Sequence, residues 1–243
     1  MDFTFGIITN GGSDFILKEV INSILYEKIP NFEIIVVGNT KITENITVIN
    51  FDENQKENWI SKKKNIISKN AKFENIVYLH DYIKLEPKWY EGQQLSSNNF
   101  QVRMDRILNL NNERYRDWCL WMDDGNNFVN KNNYLIPYNF THLSKLMYIS
   151  GAYWVAKKSF MIENPLNEKL SWGQGEDVEW SLRVRNKIDF QLNNYSYVKL
   201  LKFKDRIFNE TTERDNEILS KIYNYDNSKS YEKLIKNHID KWI

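Results

Sequence analysis

The sequence predicts an α/β fold whose amino-terminal part is a parallel, doubly wound sheet of the nucleotide-binding kind. Three observations carry this expectation. Strand-length apolar runs alternate with helically spaced apolar residues over the first 83 residues. Several of those runs stop abruptly at polar or acidic residues, where ligands sit in an open α/β sheet. After Pro87 the alternation gives way to shorter strand-like runs and loops, and from Thr211 to a helical, charged pattern.

Phe3 to Thr9 reads as the first strand, and Asn10-Gly11-Gly12 turns out of it. Ser13 is suited to cap the next helix, because a serine hydroxyl accepts from an orphan backbone N–H of the first turn. Ile16, Leu17, Val20, Ile21, Ile24 and Leu25 then recur at helical spacing until Pro30-Asn31. Phe32 to Val37 is a second strand, closed by Gly38-Asn39; two strands joined through a helix pair in parallel by a right-handed crossover. Ile46 to Phe51 is a third, ending in Asp52-Glu53. Glu57 to Asn70 reads as a polar helix with Trp59, Ile60, Ile66 and Ile67 as its apolar side and Lys62-Lys63-Lys64-Asn65 in its middle. Ile76 to Leu79 is short enough for a buried strand and stops at His80-Asp81.

Phe100 to Leu108 and Tyr115 to Trp121 are strand-like and flank a turn-rich segment, which predicts a hairpin or meander. Asp123 to Asn133, rich in Asn, reads as a loop. Met147 to Lys157 is a strand with Gly151-Ala152 at its centre, small residues that admit close approach of another backbone or a ligand. Ser171 to Gly175 is a flexible loop feeding a helix from Glu176 to Asn186, with Val178 and Leu182 inward. Tyr197 to Phe203 is a final strand. Residues 1–205 are expected to form one domain, and 206–243 a helical extension packed on it.

Composition narrows the function. A net charge of +1 without a basic block argues against a nucleic-acid binder. The single cysteine, Cys119, rules out internal disulfides and a zinc cluster. No window approaches eighteen apolar residues, so no transmembrane segment is expected. The amino terminus lacks a basic region followed by a long apolar stretch, so a cytoplasmic location is expected.

Two constellations are suited to chemistry. If the first strands are parallel, Thr9-Asn10, Asn39, Asp52 and His80-Asp81 converge on one edge. A nucleotide laid there needs carboxylates or amides for its hydroxyls and base, and a cation for its phosphates. The second is Trp172-Gly173-Gln174-Gly175-Glu176-Asp177-Val178-Glu179-Trp180. Adjacent carboxylates at a helix start complement its dipole for about 0.3–1 kcal/mol each. They also fit a general base held at a rigid helix end and covered by the Trp172 loop.

Taken in order, Thr9-Asn10, Asp52, Lys64-Asn65, His80-Asp81-Tyr82, the segment Gly151 to Phe160 and the stretch Gly173 to Trp180 resemble the GT-A glycosyltransferases. The similarity is to their large inverting family, which uses nucleotide-diphosphate sugars, and it covers about residues 3–205. It implies a Rossmann-like mixed sheet flanked by helices and a helical carboxyl-terminal extension. It also implies a donor, a UDP-sugar being favoured, and a glycan or other hydroxyl acceptor. Thr9, Asn10, Asn39 and Asp52 would meet the nucleotide, Asp52 at the base, and Lys64 would lie near the diphosphate. His80, Asp81, Gly151 and Ala152 would complete the donor side. Asp177 would be the base that deprotonates the acceptor, Glu176 would orient it, and Trp172 and His142 would stand on the acceptor side. The resemblance implies a divalent cation, Mn²⁺ or Mg²⁺, with Asp81 as ligand. Here the chain departs from the family: His80-Asp81-Tyr82 replaces the usual Asp-x-Asp. Lys202 is the alternative neutraliser of the diphosphate. Two other readings stay open: a catalytically lapsed sugar- or nucleotide-binding relative, and a nucleotidyltransferase, for which Asn10-Gly11-Gly12-Ser13 gives only a fragment of a phosphate loop.

Overall fold

A computed structural model describes residues 1–122, 132–138, 147–204 and 209–210. The expected helical extension lies outside these residues, as does the expected Asp123–Asn133 loop except for its last two positions. In chain order the elements are β1 (Phe3–Ile8), α1 (Asp14–Tyr26), β2 (Phe32–Val37), β3 (Thr47–Ile49), α2 (Ile60–Asn70), β4 (Asn75–His80) and β5 (Ile83–Leu85). They continue as α3 (Trp89–Leu95), β6 (Val102–Leu108), β7 (Trp118–Met122), β8 (Asn132–Leu135), β9 (Met147–Ile149) and β10 (Tyr153–Lys157). The last are α4 (Lys158–Glu163), α5 (Glu176–Val184), β11 (Gln191–Leu200) and β12 (Asn209–Glu210).

The main sheet runs β3-β2-β1-β4-β10-β6-β11-β5. Its first four strands are parallel, as the alternation predicts. β10 then enters antiparallel to both β4 and β6, β11 is parallel to β6, and β5 closes the edge antiparallel. β1 and β4 are buried at every position, as central strands covered on both faces must be. Ser13 caps α1, its hydroxyl accepting from the Ile16 N–H at 3.3 Å.

Four expectations need correction. The first concerns the hairpin: β6 already has β10 and β11 as neighbours, so β7 joins a second sheet, β12-β8-β7-β9, and only a Leu108–Arg114 bridge remains. The Asp117 carboxylate holds that crossing, accepting from the Trp118 N–H at 2.7 Å, the Ile107 N–H at 3.3 Å and Arg114 at 2.6 Å. Second, Met147–Lys157 is not one strand. β9 belongs to the small sheet and β10 to the main one, with Ser150-Gly151-Ala152 as the joint.

Third, α2 begins at Ile60, and its polar residues are the buried ones. Each has a partner: Ser61 donates to the Leu170 carbonyl at 2.5 Å, Lys63 to the Thr9 carbonyl at 2.7 Å, Lys64 to the Gly151 carbonyl at 2.6 Å and Asn65 to the Leu166 carbonyl at 2.9 Å. A buried polar group without a partner costs about 1–3 kcal/mol, so such a face is possible only because every site is met. Fourth, the last strand starts at Gln191, well before Tyr197. Its pairing with β6 jumps from Asn193↔Asp105 to Tyr197↔Arg106, leaving three residues of β11 unmatched. Asn193 is buried before the jump, and Ser196, Val198 and Leu200 after it.

A buried hub fastens the centre of the sheet. The Asp105 carboxylate accepts from Trp89 Nε1 at 2.8 Å, Gln93 at 2.7 Å, Asn193 at 2.9 Å and the Tyr153 hydroxyl, tying α3, β11 and β10 to β6. Burial raises its pKa, against the pull of Tyr153 and Arg103. At the edge, Gly38 leaves β2 with φ +138, and an added Cβ would stand 2.1 Å from the Thr9 carbonyl oxygen. Gly38→Ala is therefore expected to cost at least roughly 1–3 kcal/mol from the backbone conformation alone. A chemical denaturation midpoint equal to wild type would contradict the strain.

Candidate active site

At the carboxyl ends of β1 and β4 lies a cleft of about 230 Å³. Thr9, Asn10, His80 and Asp81 form its sheet edge; Asn58, Lys63 and Trp172 form one wall, and Tyr82, Lys202 and Lys204 the other. Two adjacent parallel strands end here, so the first turn after each must share the space. Thr9 and Asp81 do so directly, the Thr9 hydroxyl donating to Asp81 Oδ2 at 2.6 Å. The same hydroxyl accepts from the Gly11 N–H at 3.0 Å, fixing the turn out of β1. Lys63 reaches the Thr9 carbonyl from α2 and also pairs with Glu53.

Burial shapes the charges. It raises the Asp81 carboxyl pKa, while Thr9, Lys202 and Lys63 pull it back. Burial, helped by Lys64, Lys204 and Lys202, drives His80 well below 6.5, so its imidazole is neutral at pH 7. Lys204 is pushed down to about 8 by burial and by its neighbours Lys202 and Arg116. The Tyr82 hydroxyl accepts from Lys204 Nζ at 2.7 Å, and the ammonium groups of Lys202 and Lys204 stand 3.8 and 4.3 Å from the centre of its ring.

Behind His80 lies a second cluster, at the joint between the sheets. The His80 N–H donates to the Ala152 carbonyl at 3.1 Å. Next to it, the Gly151 N–H donates to Asp177 Oδ2 at 2.8 Å and the Gly151 carbonyl accepts from Lys64. A Cβ on Gly151 would meet Glu176 Oε1 at 2.8 Å and Asp177 Oδ2 at 2.9 Å, so only glycine lets the joint seat against the start of α5. Glu176 is buried, 3.8 Å from Lys64, and pushed up to about 7 by burial and by Asp177, against the pull of Lys64. Burial lowers Lys64 in turn, and its ammonium also lies 4.6 Å from the Trp154 ring.

The sequence-based set is thus brought together in part. Thr9, Asn10, His80, Asp81 and the exposed Trp172 line the cleft. Lys64, Gly151, Ala152, Glu176 and Asp177 form the adjoining cluster. Asn39 and Asp52 are exposed and do not line the cleft; Asp52 accepts from the Asn54 N–H at 3.0 Å. His142 lies outside the described residues. Sequence reasoning passed over Lys63, Tyr82, Asn58 and Lys204. The two-residue spacing of Lys202 and Lys204, which puts both on one side of an extended chain, was the available signal. Arg116, within reach of Tyr148 at 3.4 Å, was read only as one of a charged group. Burial lowers its pKa, but Tyr148 and Asp177 outweigh that and raise it overall.

No protein-family model matches the sequence, and no curated protein does. Solved structures do match. GalNAc-T7 with UDP, GalNAc and Mn²⁺ superposes with a TM-score of 0.61 at 12% identity, over 84% of this chain and 44% of that one. TarS 1–349 of S. aureus superposes at 0.56 and 12% identity, over 100% of this chain and 71% of that one. Its complex with UDP superposes at 0.54, over 70% of that chain. The fold is GT-A. This GT-A chain spans less than half the length of GalNAc-T7. Among the described residues no helix is long and apolar enough to cross a membrane.

Proposed function

We propose that this GT-A chain transfers a sugar from a UDP-sugar to a hydroxyl acceptor, a glycan being favoured, with inversion at the anomeric carbon. The observation that carries the reading is the cleft at the ends of β1 and β4, joined through His80 and Gly151 to the carboxylates opening α5. It is supported by the UDP named in the titles of two structures with the same fold. Thr9, Asn10 and Asp81 would hold the nucleoside and sugar hydroxyls, with Asn39 and Asp52 reaching the nucleotide from the exposed rim. The Asp177 carboxylate takes the acceptor hydroxyl proton as that oxygen bonds to the anomeric carbon. The bond from that carbon to the β-phosphate oxygen breaks, and the electron pair leaves on UDP. Glu176, beside it, orients the acceptor, and Trp172 at the mouth offers the flat apolar face that sugar rings pack against.

A thermal-shift panel of UDP, GDP, CDP and TDP tests the reading. At a hundred times its dissociation constant a ligand adds about 2.7 kcal/mol of stability. At ~2–4 °C per kcal/mol for a chain of this size, that is a shift of several degrees with UDP. Equal melting temperatures with all four nucleotides would defeat the proposal. Binding of UDP without any hydrolysis or transfer of a UDP-sugar would instead favour the lapsed relative.

A further inference from the structure

The cleft edge carries Tyr82 where the resemblance leads one to expect a second carboxylate, and its surroundings are cationic. Mg²⁺ needs a shell of oxygen donors, and Mn²⁺ also accepts imidazole. This edge offers one carboxylate, Asp81, whose Oδ2 already accepts from Thr9 at 2.6 Å. His80 adds an imidazole whose buried Nε2 has no hydrogen-bond partner among the described residues. Two donors leave most of a cation's coordination sphere to be filled beside two ammonium groups lining the same space. Among the described residues no three His, Cys, Asp or Glu side chains gather to hold a metal ion. The donor set does not fit a divalent cation.

We infer that Lys202 and Lys204 receive the diphosphate of the donor and the charge that develops on the departing UDP, so that transfer needs no divalent cation. This rests on the nucleotide-sugar reading above. A lysine is a compact point charge suited to phosphate oxygens, and fixed cations on a transferring or leaving phosphate stabilise the charge as it forms. Lys202 and Lys204 sit two apart beyond the end of β11, so both side chains turn to one side. The Tyr82 ring stands beside both ammonium groups, and its hydroxyl holds Lys204 at 2.7 Å, so the pair is ordered before a nucleotide arrives. Asp81 contributes the single negative charge on this edge, already engaged by Thr9, and is left to meet hydroxyl groups rather than a metal.

Calorimetric titration of UDP into the full chain, in EDTA, in Mn²⁺ and in Mg²⁺, separates the possibilities. The expected result is the same affinity in all three, with transfer from a UDP-sugar undiminished by EDTA. Lys202→Ala/Lys204→Ala should weaken UDP about tenfold or more, as loss of charge-assisted contacts does. Lys202→Arg/Lys204→Arg should retain most of the affinity, and melting curves of both variants check that each is folded. Binding that appears only with metal overturns the inference while leaving the nucleotide reading intact, and so does unchanged affinity in the alanine variant. If neither UDP nor GDP, CDP or TDP binds under any condition, the nucleotide reading itself falls. The wild-type comparison in EDTA decides even if the double variant does not fold.

Discussion

Asp177→Asn is expected to lower kcat about 10²–10⁴-fold, the range general-base catalysis supplies, while UDP affinity stays at the wild-type value. The argument is geometric. The Asp177 carboxylate is held by the Gly151 N–H at 2.8 Å and by the Val178 N–H at 2.9 Å, so its position is fixed by backbone at both oxygens. Asparagine has the same shape and keeps one oxygen for these bonds, but it cannot take a proton from an acceptor hydroxyl. Because Asp177 is joined to the cleft only through Gly151 and the His80 backbone, nucleotide binding should not register the change. Single-turnover transfer alongside calorimetry of UDP makes the distinction. Wild-type transfer by Asp177→Asn would remove Asp177 from the reaction. A comparable loss confined to Glu176→Gln would move the base one residue back.

Lys64→Met should be the most destabilising single change at the site. Lys64 is buried against Glu176 at 3.8 Å, and removing one member of a buried ion pair typically costs about 3–5 kcal/mol. At ~2–4 °C per kcal/mol, the melting temperature should fall roughly 6–20 °C. The deficit should depend on pH. Glu176 has its folded pKa raised from 4.5 to about 7, so the stability linked to its proton is full below 4.5 and is lost as pH rises through about 7. Without Lys64 nothing offsets the buried carboxylate at high pH, whereas at low pH it is neutral and needs no partner. The loss should therefore shrink as pH is lowered from 8 toward 5, and Glu176→Gln in the Lys64→Met background should restore much of the stability. A pH-independent deficit, unchanged by Glu176→Gln, would mean that Lys64 acts through its bond to the Gly151 carbonyl instead.

Much of this architecture was legible in the sequence, for particular reasons. β1, β2 and β4 read correctly because buried parallel strands are continuous apolar runs, and their ends announced Thr9, His80 and Asp81 as an edge. α1 announced itself by periodicity and by Ser13. The hairpin was misread because nothing between Phe100 and Trp121 reports that β10 and β11, far along the chain, already occupy both sides of β6. The strand 147–157 was misread because the joint at Gly151 keeps its apolar flanks in unbroken sequence while handing them to different sheets. α2 was misread on its polar face because periodicity counts hydrophobicity, and Lys63, Lys64 and Asn65 are buried by hydrogen bonds to carbonyls that only the fold supplies. α3 and α4 are too short to show a period. In the site, Gly151 and the carboxylates of α5 were visible as a pattern, but their mutual contact was not.

The unmatched stretch of β11 has a consequence for the charge of the cleft. Side chains of a strand alternate, so what matters in Asn194-Tyr195-Ser196 is less their identity than that they are three, an odd number. Odd-numbered Asn193 is inward before them, and even-numbered Ser196, Val198 and Leu200 after them, a sequence that runs on to Lys202 and Lys204. Losing one residue there would reverse the parity: Leu201 and Phe203 would take the places of the two lysines, and Lys199 would be driven inward. Whether this edge greets a ligand with cations or with hydrocarbon is decided by counting, at the opposite end of the strand, in residues that touch no part of the cleft.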